Sequence, residues 1–284
     1  MLEKYVFSGH KEGKKLIVLA AIHGNETAGT NAIKRLVKEF DEGKYTLTAG
    51  KLTLVPVCNV EAYEIGVRQI DENLNRVMIM HDNPQTYEQT LANEICPLIK
   101  ENDVLLDLHS THCEGDVPFV ICDYPDDINN KFINRLPIGY VLYGWPDVYA
   151  HQKEIEDYCT ERCAHMSGCS AITLECGYHK AKEAIDIAYQ SIVRTLSVLE
   201  MIAPIETAIS VQKKILIKNY VTKLRGGCLL KPYVHLDKVK KDEPIARYND
   251  GEILYAESNG YILLPNSVAD IGTEWYYFGQ DILS

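Results

Sequence analysis

Strand-like and helix-like segments alternate along the first 200 or so residues of the 284-residue chain, and this alternation constrains the fold more than any other feature. The strand-like runs are short and apolar, whereas the helical segments carry apolar residues three or four positions apart. The predicted strands span residues 15–22, 51–57, 104–108 and 171–174, and the predicted helices span residues 26–40, 85–101, 154–166 and 180–202. The pattern predicts an α/β fold with a largely parallel sheet flanked by helices.

The pattern changes after Pro204, where turn residues separate short apolar runs. Asn249-Asp250-Gly251 and Asn259-Gly260 are typical of tight hairpins, because asparagine, aspartate and glycine tolerate the positive φ angles that such turns require. We therefore predict two parts: an α/β domain over residues 1–204 and a smaller C-terminal all-β domain over residues 205–284.

Charge and composition argue against two classes of partner. The chain has 29 Lys and Arg against 40 Asp and Glu, a net charge of −11, so it repels a phosphate backbone and we expect no nucleic-acid partner. The longest apolar run, residues 16–22, is far shorter than the roughly 20 residues that span a bilayer, so we expect no membrane partner. The N-terminal segment lacks a secretory signal and the nine cysteines show no paired CxxC motifs, which predicts a cytoplasmic protein with reduced thiols.

Two of the predicted strands end in residues that commonly bind metals. His23 and Glu26 lie three residues apart where the first strand passes into a helix, and His109 directly follows the strand over residues 104–108. Taken alone, His23 and Glu26 are also typical of a protein surface, and His109 is also typical of a buried core histidine. Together they indicate a catalytic zinc site, because strand ends converge at one sheet edge and two histidines with one glutamate leave a position open for water. Asp107 lies on the same strand face as His109 and could orient an imidazole.

Two further segments carry polar residues suited to substrate chemistry. Arg68, Asn75 and Arg76 lie in a polar stretch, and guanidinium groups bind carboxylates through two parallel hydrogen bonds. A solvated loop would have the same composition. Glu175 directly follows the strand over residues 171–174, where burial would raise its pKa and suit it to act as a general base.

The order and spacing of these motifs resemble the succinylglutamate desuccinylase/aspartoacylase family, which belongs with the zinc carboxypeptidases in fold and metal site. The matching positions are His23, Glu26, Arg68, Asn75-Arg76, His109 and Glu175. The resemblance implies a mixed sheet flanked by helices, and a C-terminal β domain that covers the active-site entrance. It also implies a zinc-dependent amidohydrolase that removes the acyl group from a small N-acyl amino acid.

The resemblance implies a role for each of these residues. One zinc ion per chain would bind to His23, Glu26 and His109. Glu175 would move protons for the water that zinc activates, and Arg68 would polarise the amide carbonyl and stabilise the oxyanion. The substrate would contact three further residues: Asn75 and Arg76, which would bind the amino-acid carboxylate, and Tyr276 of the C-terminal domain, with Tyr277 as the neighbouring alternative.

One position departs from the family pattern. Some aspartoacylases carry a further arginine that binds the side-chain carboxylate of the substrate, and here its place, ten residues before Glu175, holds His165, with Arg162 three residues earlier. The sequence therefore leaves the acyl group and the amino acid open, and it leaves homo-oligomer formation open as well. Two alternatives remain: a zinc carboxypeptidase acting on peptides, which would need an open cleft, and a non-catalytic metal-containing binding protein.

Overall fold

A computed structural model describes residues 2–151 and 158–282, with the side chain of residue 151 excluded. The helices are α1 Thr27–Asp41, α2 Val60–Ile65, α3 Tyr87–Lys100, α4 Asp127–Ile133, α5 Trp145–His151, α6 Thr160–Met166 and α7 Lys182–Val198, with a short 3-10 helix at Leu74–Arg76. The strands of the α/β part are β1 Tyr5–Ser8, β2 Lys11–Ala20, β3 Ala49–Val55, β4 Val104–Thr111, β5 Phe119–Ile121, β6 Tyr140–Tyr143 and β7 Ser170–Tyr178. The C-terminal strands are β8 Lys213–Thr222, β9 Gly227–Leu229, β10 Asp237–Val239, β11 Pro244–Tyr248, β12 Ile253–Tyr255, β13 Gly260–Leu263 and β14 Glu274–Asp281.

Eleven of the described strands form one mixed sheet, in the order β1-β3-β2-β4-β7-β5-β6-β8-β14-β13-β10. Strands β3, β2, β4 and β7 are parallel to one another. Strand β1 pairs antiparallel with β3, and β5 pairs antiparallel with β7 but parallel with β6. A separate antiparallel sheet contains β12, β11 and β9. The expected fold class, a mixed sheet flanked by helices with smaller C-terminal β structure, is confirmed.

The central strands are covered by helices on both faces. Leu16 and Val18 of β2 point into the core beneath α1 and α7, whereas Ile17 and Leu19 point into the core beneath α3 and α6. This alternation follows from the two-residue period of a strand, and it explains why the run reads as continuously apolar. The sheet thus holds the carboxyl ends of β2, β4 and β7 side by side.

The predicted elements of the α/β part are present, and several of their boundaries differ by a few residues. Helix α6 begins at Thr160 rather than at residue 154, and residues 154–157 of that prediction lie outside the described residues. Cys159 is extended, with φ of −86° and ψ of 171°, and its Sγ accepts a hydrogen bond from the backbone N–H of Arg162, so it caps this helix. Helix α3 continues through Pro97 to Lys100.

The C-terminal strands continue the large sheet, because β8 pairs in parallel with β6 and then antiparallel with β14. The Asn249–Gly251 turn joins β11 to β12 as a hairpin, as predicted. The hairpin prediction at Asn259-Gly260 was wrong, because β12 and β13 belong to different sheets. Gly260 is required there for space, since a Cβ would overlap the carbonyl of Gly279 and the ring of Phe278.

Two observations bear on expectations from composition. None of the helices within the two described ranges combines the length and the apolar character that crossing a bilayer requires. Seven of the nine cysteines are buried.

Candidate active site

The two predicted metal motifs meet at the carboxyl ends of β2 and β4, which are parallel neighbours. Nδ1 of His23 lies 2.7 Å from Oε1 of Glu26, and Nδ1 of His109 lies 3.1 Å from Oε2 of the same carboxylate. The ligand atoms of the three residues all lie within 4.8 Å of one another, and all three residues are buried. These side chains could therefore hold one metal ion.

The outer nitrogen of each imidazole donates to an oxygen. Nε2 of His23 donates to Oδ1 of Asn73 at 3.0 Å, and Nε2 of His109 donates to Oδ2 of Asp107 at 2.9 Å. With Nε2 as the donor to these oxygens, Nδ1 of each ring faces an oxygen of Glu26, and a cation, either a proton or a metal ion, must lie between the two atoms. The donor set therefore fits a zinc-like divalent ion, which prefers imidazole nitrogen and carboxylate oxygen.

Burial and mutual charge set the protonation of the three ligands. Burial lowers the pKa of His23 and so favours its neutral form. Burial also opposes protonation of His109, but the carboxylates of Asp107 and Glu26 outweigh it and raise the pKa of His109. Burial would raise the pKa of Glu26, yet the two imidazoles outweigh it and hold that pKa well below its usual range. Glu26 is thus ionised, which is the form that binds a metal.

The turn after β2 directs His23 and Glu26 toward the same point. Ala21 adopts a φ of 49°, in the left-handed region, and this bend starts the turn. Gly24 is required in this turn for close packing, because a Cβ there would overlap the backbone of Ala62 and Tyr63. Glu26 precedes α1 without capping it through its side chain, so its carboxylate remains available to the histidines.

A cavity of about 630 Å³ opens onto the three ligands. Glu175, Arg68 and Arg76 line it from the α/β part of the chain. The C-terminal strands and the loop between β13 and β14 supply another part of its wall, which comprises Leu264, Pro265, Asn266, Glu274 and Tyr277. The cavity is therefore built from both parts of the chain, and a substrate within it would contact both.

Glu175 lies at the end of β7, paired in register with His109 of β4. Its Oε2 is buried and has no hydrogen-bond partner among the described residues. Burial, followed by the nearby charge of Glu26, raises the pKa of Glu175 to about 8. A carboxyl group in this environment can exchange a proton near neutral pH.

The two arginines occupy different parts of the cavity. Nη1 of Arg68 donates to Oε1 of Glu26 at 3.1 Å, so this guanidinium lies beside the ligand set. Arg76 is the last residue of the 3-10 helix, and its Nη1 donates to the carbonyl of Asn75 at 2.7 Å while its Nη2 donates to the hydroxyl of Tyr149 at 3.2 Å. Asn75 lines the cavity next to Arg76.

The structure corrects the position expected for Tyr276. Successive residues of a regular strand point to opposite faces, and Tyr276 and Phe278 both pack in the core of the C-terminal region, away from the cavity. Tyr277 lines the cavity instead, and its hydroxyl lies 2.7 Å from that of Tyr149. Tyr277 is thus the tyrosine of β14 that could contact a substrate.

A family model of the succinylglutamate desuccinylase/aspartoacylase catalytic domain matches residues 12–197 of this chain. The matched segment includes the three candidate ligands and Glu175. The chain belongs to this family.

Individual curated relatives match shorter segments of this chain than the family model does. A Nostoc sp. protein named "Probable aspartoacylase" is 30% identical over 152 residues, which are 47% of this chain and 48% of the relative. A succinylglutamate desuccinylase of Shewanella sp. strain W3-18-1 is 38% identical over 74 residues, 26% of this chain and 21% of the relative. The chain therefore matches half or less of the length of these curated relatives.

Solved structures of family members share the fold over almost the whole chain. A succinylglutamate desuccinylase/aspartoacylase from Rhodobacter sphaeroides superposes with a TM-score of 0.77 at 16% identity, covering 100% of this chain and 90% of the other. The product-bound ectoine utilization protein EutE from Ruegeria pomeroyi gives a TM-score of 0.77 at 19% identity, covering 98% and 88%. At these identities the likeness establishes the fold alone.

The departure from the succinylglutamate desuccinylase/aspartoacylase pattern near residue 165 is visible in the structure. His165 stacks on the ring of Tyr124, with ring centroids 4.1 Å apart, and the guanidinium of Arg162 lies 4.6 Å from the ring centre of Tyr158. Neither residue lines the cavity. Among the described residues, Arg68 and Arg76 are thus the arginines that this family member presents to a bound molecule.

Sequence reasoning missed Glu88, which organises the loop before the 3-10 turn of this family member. Glu88 is fully buried in α3, and its two oxygens accept hydrogen bonds from the backbone N–H groups of Ile70, Asp71 and Glu72 at 2.7–3.2 Å and from Nδ2 of Asn59 at 3.1 Å. Burial raises the pKa of Glu88, but these donors outweigh it and lower the pKa overall. A glutamate on a predicted helix gives no local signal of such a role.

We expect Glu88→Gln to destabilise the protein by about 3 kcal/mol at pH 7, because an amide NH₂ would face buried N–H donors. The lowered pKa means that the wild-type contribution is complete above the unfolded pKa of about 4.3 and is lost as pH falls through the folded pKa. Urea unfolding at pH 7 and near pH 3.5 measures both effects. The difference between variant and wild type should shrink at the lower pH, whereas Glu61→Gln, at an exposed position, should change little at either pH.

Proposed function

We propose that this protein is a zinc-dependent hydrolase that cleaves the amide bond of a small N-acyl amino acid. The convergence of His23, Glu26 and His109 at the base of a cavity that also contains Glu175 is the observation that carries the proposal. Family membership supports the reaction class. We also propose a cytoplasmic location, which is supported by the lack of paired CxxC motifs among the nine cysteines of the sequence.

The metal would be held by His23, Glu26 and His109. When bound, zinc lowers the pKa of water to about 7 and so supplies a nucleophile at neutral pH. Glu175 takes the proton of the attacking water and then delivers a proton to the leaving amine, a role supported by its position at the end of β7 and its raised pKa. Arg68, beside Glu26, stabilises the oxyanion that forms as the carbonyl is attacked.

The substrate would be oriented by its carboxylate. Asn75 and Arg76 line the cavity, and the Arg76 side chain is fixed by its bonds to the Asn75 carbonyl and the Tyr149 hydroxyl. A guanidinium held in this way can bind a carboxylate through two parallel hydrogen bonds. The wall formed by residues 264–277, including Tyr277, limits the length of molecule that fits, which favours a small substrate over a peptide.

Arg76→Lys is expected to raise KM by 10- to 100-fold and to change kcat much less, because lysine cannot form the two-pronged contact with a carboxylate. Steady-state kinetics on the best substrate provide the measurement. Arg225→Lys is a suitable control, since Arg225 lies on the C-terminal surface and pairs with Asp250 and Glu252. A lower kcat at an unchanged KM would assign Arg76 to the chemical step instead.

The proposed function is tested by measuring amine release from a panel of substrates by the zinc-loaded protein. The panel contains N-acetylaspartate, N-succinylglutamate, neutral and basic N-acetyl amino acids, and short peptides. Basic members are included because Asp116 and Glu161 also line the cavity. We expect turnover of one class of N-acyl amino acid. Turnover of peptides alone would indicate a carboxypeptidase, and zinc binding without any turnover would indicate a binding protein.

A further inference from the structure

A closed circuit of hydrogen bonds joins the two metal-binding imidazoles through residues outside the ligand set. One half runs from Nε2 of His23 to Oδ1 of Asn73 at 3.0 Å, and the same oxygen accepts the backbone N–H of Asn75 at 2.9 Å. The other half runs from Nε2 of His109 to Oδ2 of Asp107 at 2.9 Å. Thr160 connects the two halves.

Thr160 uses two different atoms to make this connection. Its backbone N–H donates to the side-chain Oδ1 of Asn75 at 2.9 Å, and its hydroxyl donates to Oδ2 of Asp107 at 2.6 Å. Thr160 is fully buried, as is Asp107, so water cannot replace either bond without cost. Oδ1 of Asp107 has no hydrogen-bond partner among the described residues, so His109 and Thr160 are the donors that hold this carboxylate there.

We propose that Thr160 is a positioning residue that fixes the imidazole of His109 through Asp107 and the carboxamide of Asn75 through its own backbone. This inference rests on the proposed function for the part that concerns substrate, whereas the part that concerns metal stands on the ligand geometry alone. Because Thr160 is the first residue of α6, the placement of one short helix aligns the metal ligands with the residue proposed to bind substrate.

The hydroxyl and the N–H can be removed separately. Thr160→Val keeps the shape of the side chain and the N–H but loses the hydroxyl, whereas Thr160→Ser keeps both donors. Thr160→Pro loses both donors, and it suits the backbone because proline is accepted at the first helical position and Cys159 is extended before it. Comparing these three variants therefore separates the hydrogen bond to Asp107 from the hydrogen bond to Asn75.

Zinc affinity, measured by competition with a chromogenic chelator, is the first readout. We expect Thr160→Val to weaken zinc binding by 10- to 100-fold, because the carboxylate that orients His109 loses a donor, and Thr160→Ser to remain within about 3-fold of wild type. Thr160→Pro should bind zinc more weakly than Thr160→Val by a further 3-fold or more, since releasing Asn75 also loosens Asn73 and His23. Unchanged affinity in both Thr160→Val and Thr160→Pro would overturn the proposal.

KM at saturating zinc is the second readout. Thr160→Val should leave KM within about 2-fold, and Thr160→Pro should raise it by about 10-fold, because only proline removes the bond to Asn75. Equal KM values in the two variants would overturn the assignment of the backbone N–H to substrate positioning. If the wild-type protein turns over no member of the substrate panel, the proposed function fails, while the zinc affinities still decide the role of Thr160.

Thr30→Val separates positioning from general destabilisation. Thr30 is as fully buried as Thr160, and its hydroxyl also donates a hydrogen bond of 2.6 Å, in this case to the carbonyl of Pro56. We expect Thr30→Val to lower thermal stability by about as much as Thr160→Val does, while its zinc affinity stays at the wild-type value. A similar loss of zinc affinity in Thr30→Val would show that the effect at Thr160 is merely structural.

Discussion

Replacing Glu175 by glutamine is expected to lower kcat by about 10³-fold or more while one zinc per chain is retained. Glutamine matches glutamate in size but cannot take the proton of the attacking water or return it to the leaving amine. The ligand atoms of His23, Glu26 and His109 do not include Glu175, so metal content should not change. Steady-state kinetics and elemental analysis of the same sample measure both quantities.

Glu175→Asp provides the matched comparison. Aspartate keeps the carboxylate but withdraws it by one methylene, so kcat should fall less than in Glu175→Gln and remain measurable. Near-normal turnover in Glu175→Gln would show that another group is the base. Loss of zinc from Glu175→Gln would instead show that this side chain holds the metal site together.

Removal of one metal ligand is expected to abolish both zinc binding and activity. In His109→Ala two ligands remain, and a site with three protein ligands reduced to two does not retain zinc through dialysis. Turnover should fall by on the order of 10⁴-fold or more, because the water is no longer acidified. Stability should fall as well, since Asp107 would remain buried without its imidazole partner.

His165→Ala is the control histidine for this experiment. Its ring stacks on Tyr124 outside the cavity, so zinc content and kcat should match the wild type. A chelator such as 1,10-phenanthroline should inactivate the wild-type protein, and added zinc should restore it. Retention of one zinc per chain by His109→Ala would exclude the proposed ligand set.

The three candidate metal ligands could be predicted from the sequence for a specific physical reason. His23, Glu26 and His109 each follow or end an apolar strand, and the carboxyl ends of neighbouring parallel strands meet at one sheet edge. Glu175 follows from the same rule, because β7 is the next strand beyond β4. The apolar pattern of each strand, and the position of each polar residue at its carboxyl end, were therefore sufficient to predict that these four side chains lie close together.

The supporting residues could not be predicted, because their partners are distant in sequence and have no local pattern. Thr160 bonds to Asp107 and Asn75, which lie 53 and 85 positions away. The sequence could not distinguish Tyr277, which lines the cavity, from Tyr276 for a related reason. A β-bulge between Glu274 and Tyr276 shifts the register of β14 against β8, and the sequence alone does not reveal which face each residue then occupies.

The division of the cavity wall between a loop and a strand affects how new substrate preferences could arise. Leu264, Pro265 and Asn266 belong to the loop between β13 and β14, whereas Tyr277 lies within the paired part of β14. A loop tolerates insertions and deletions, but a one-residue insertion within a paired strand would exchange its two faces. Divergence and protein engineering can therefore remodel the mouth of the cavity by varying loop length while the catalytic floor stays unchanged.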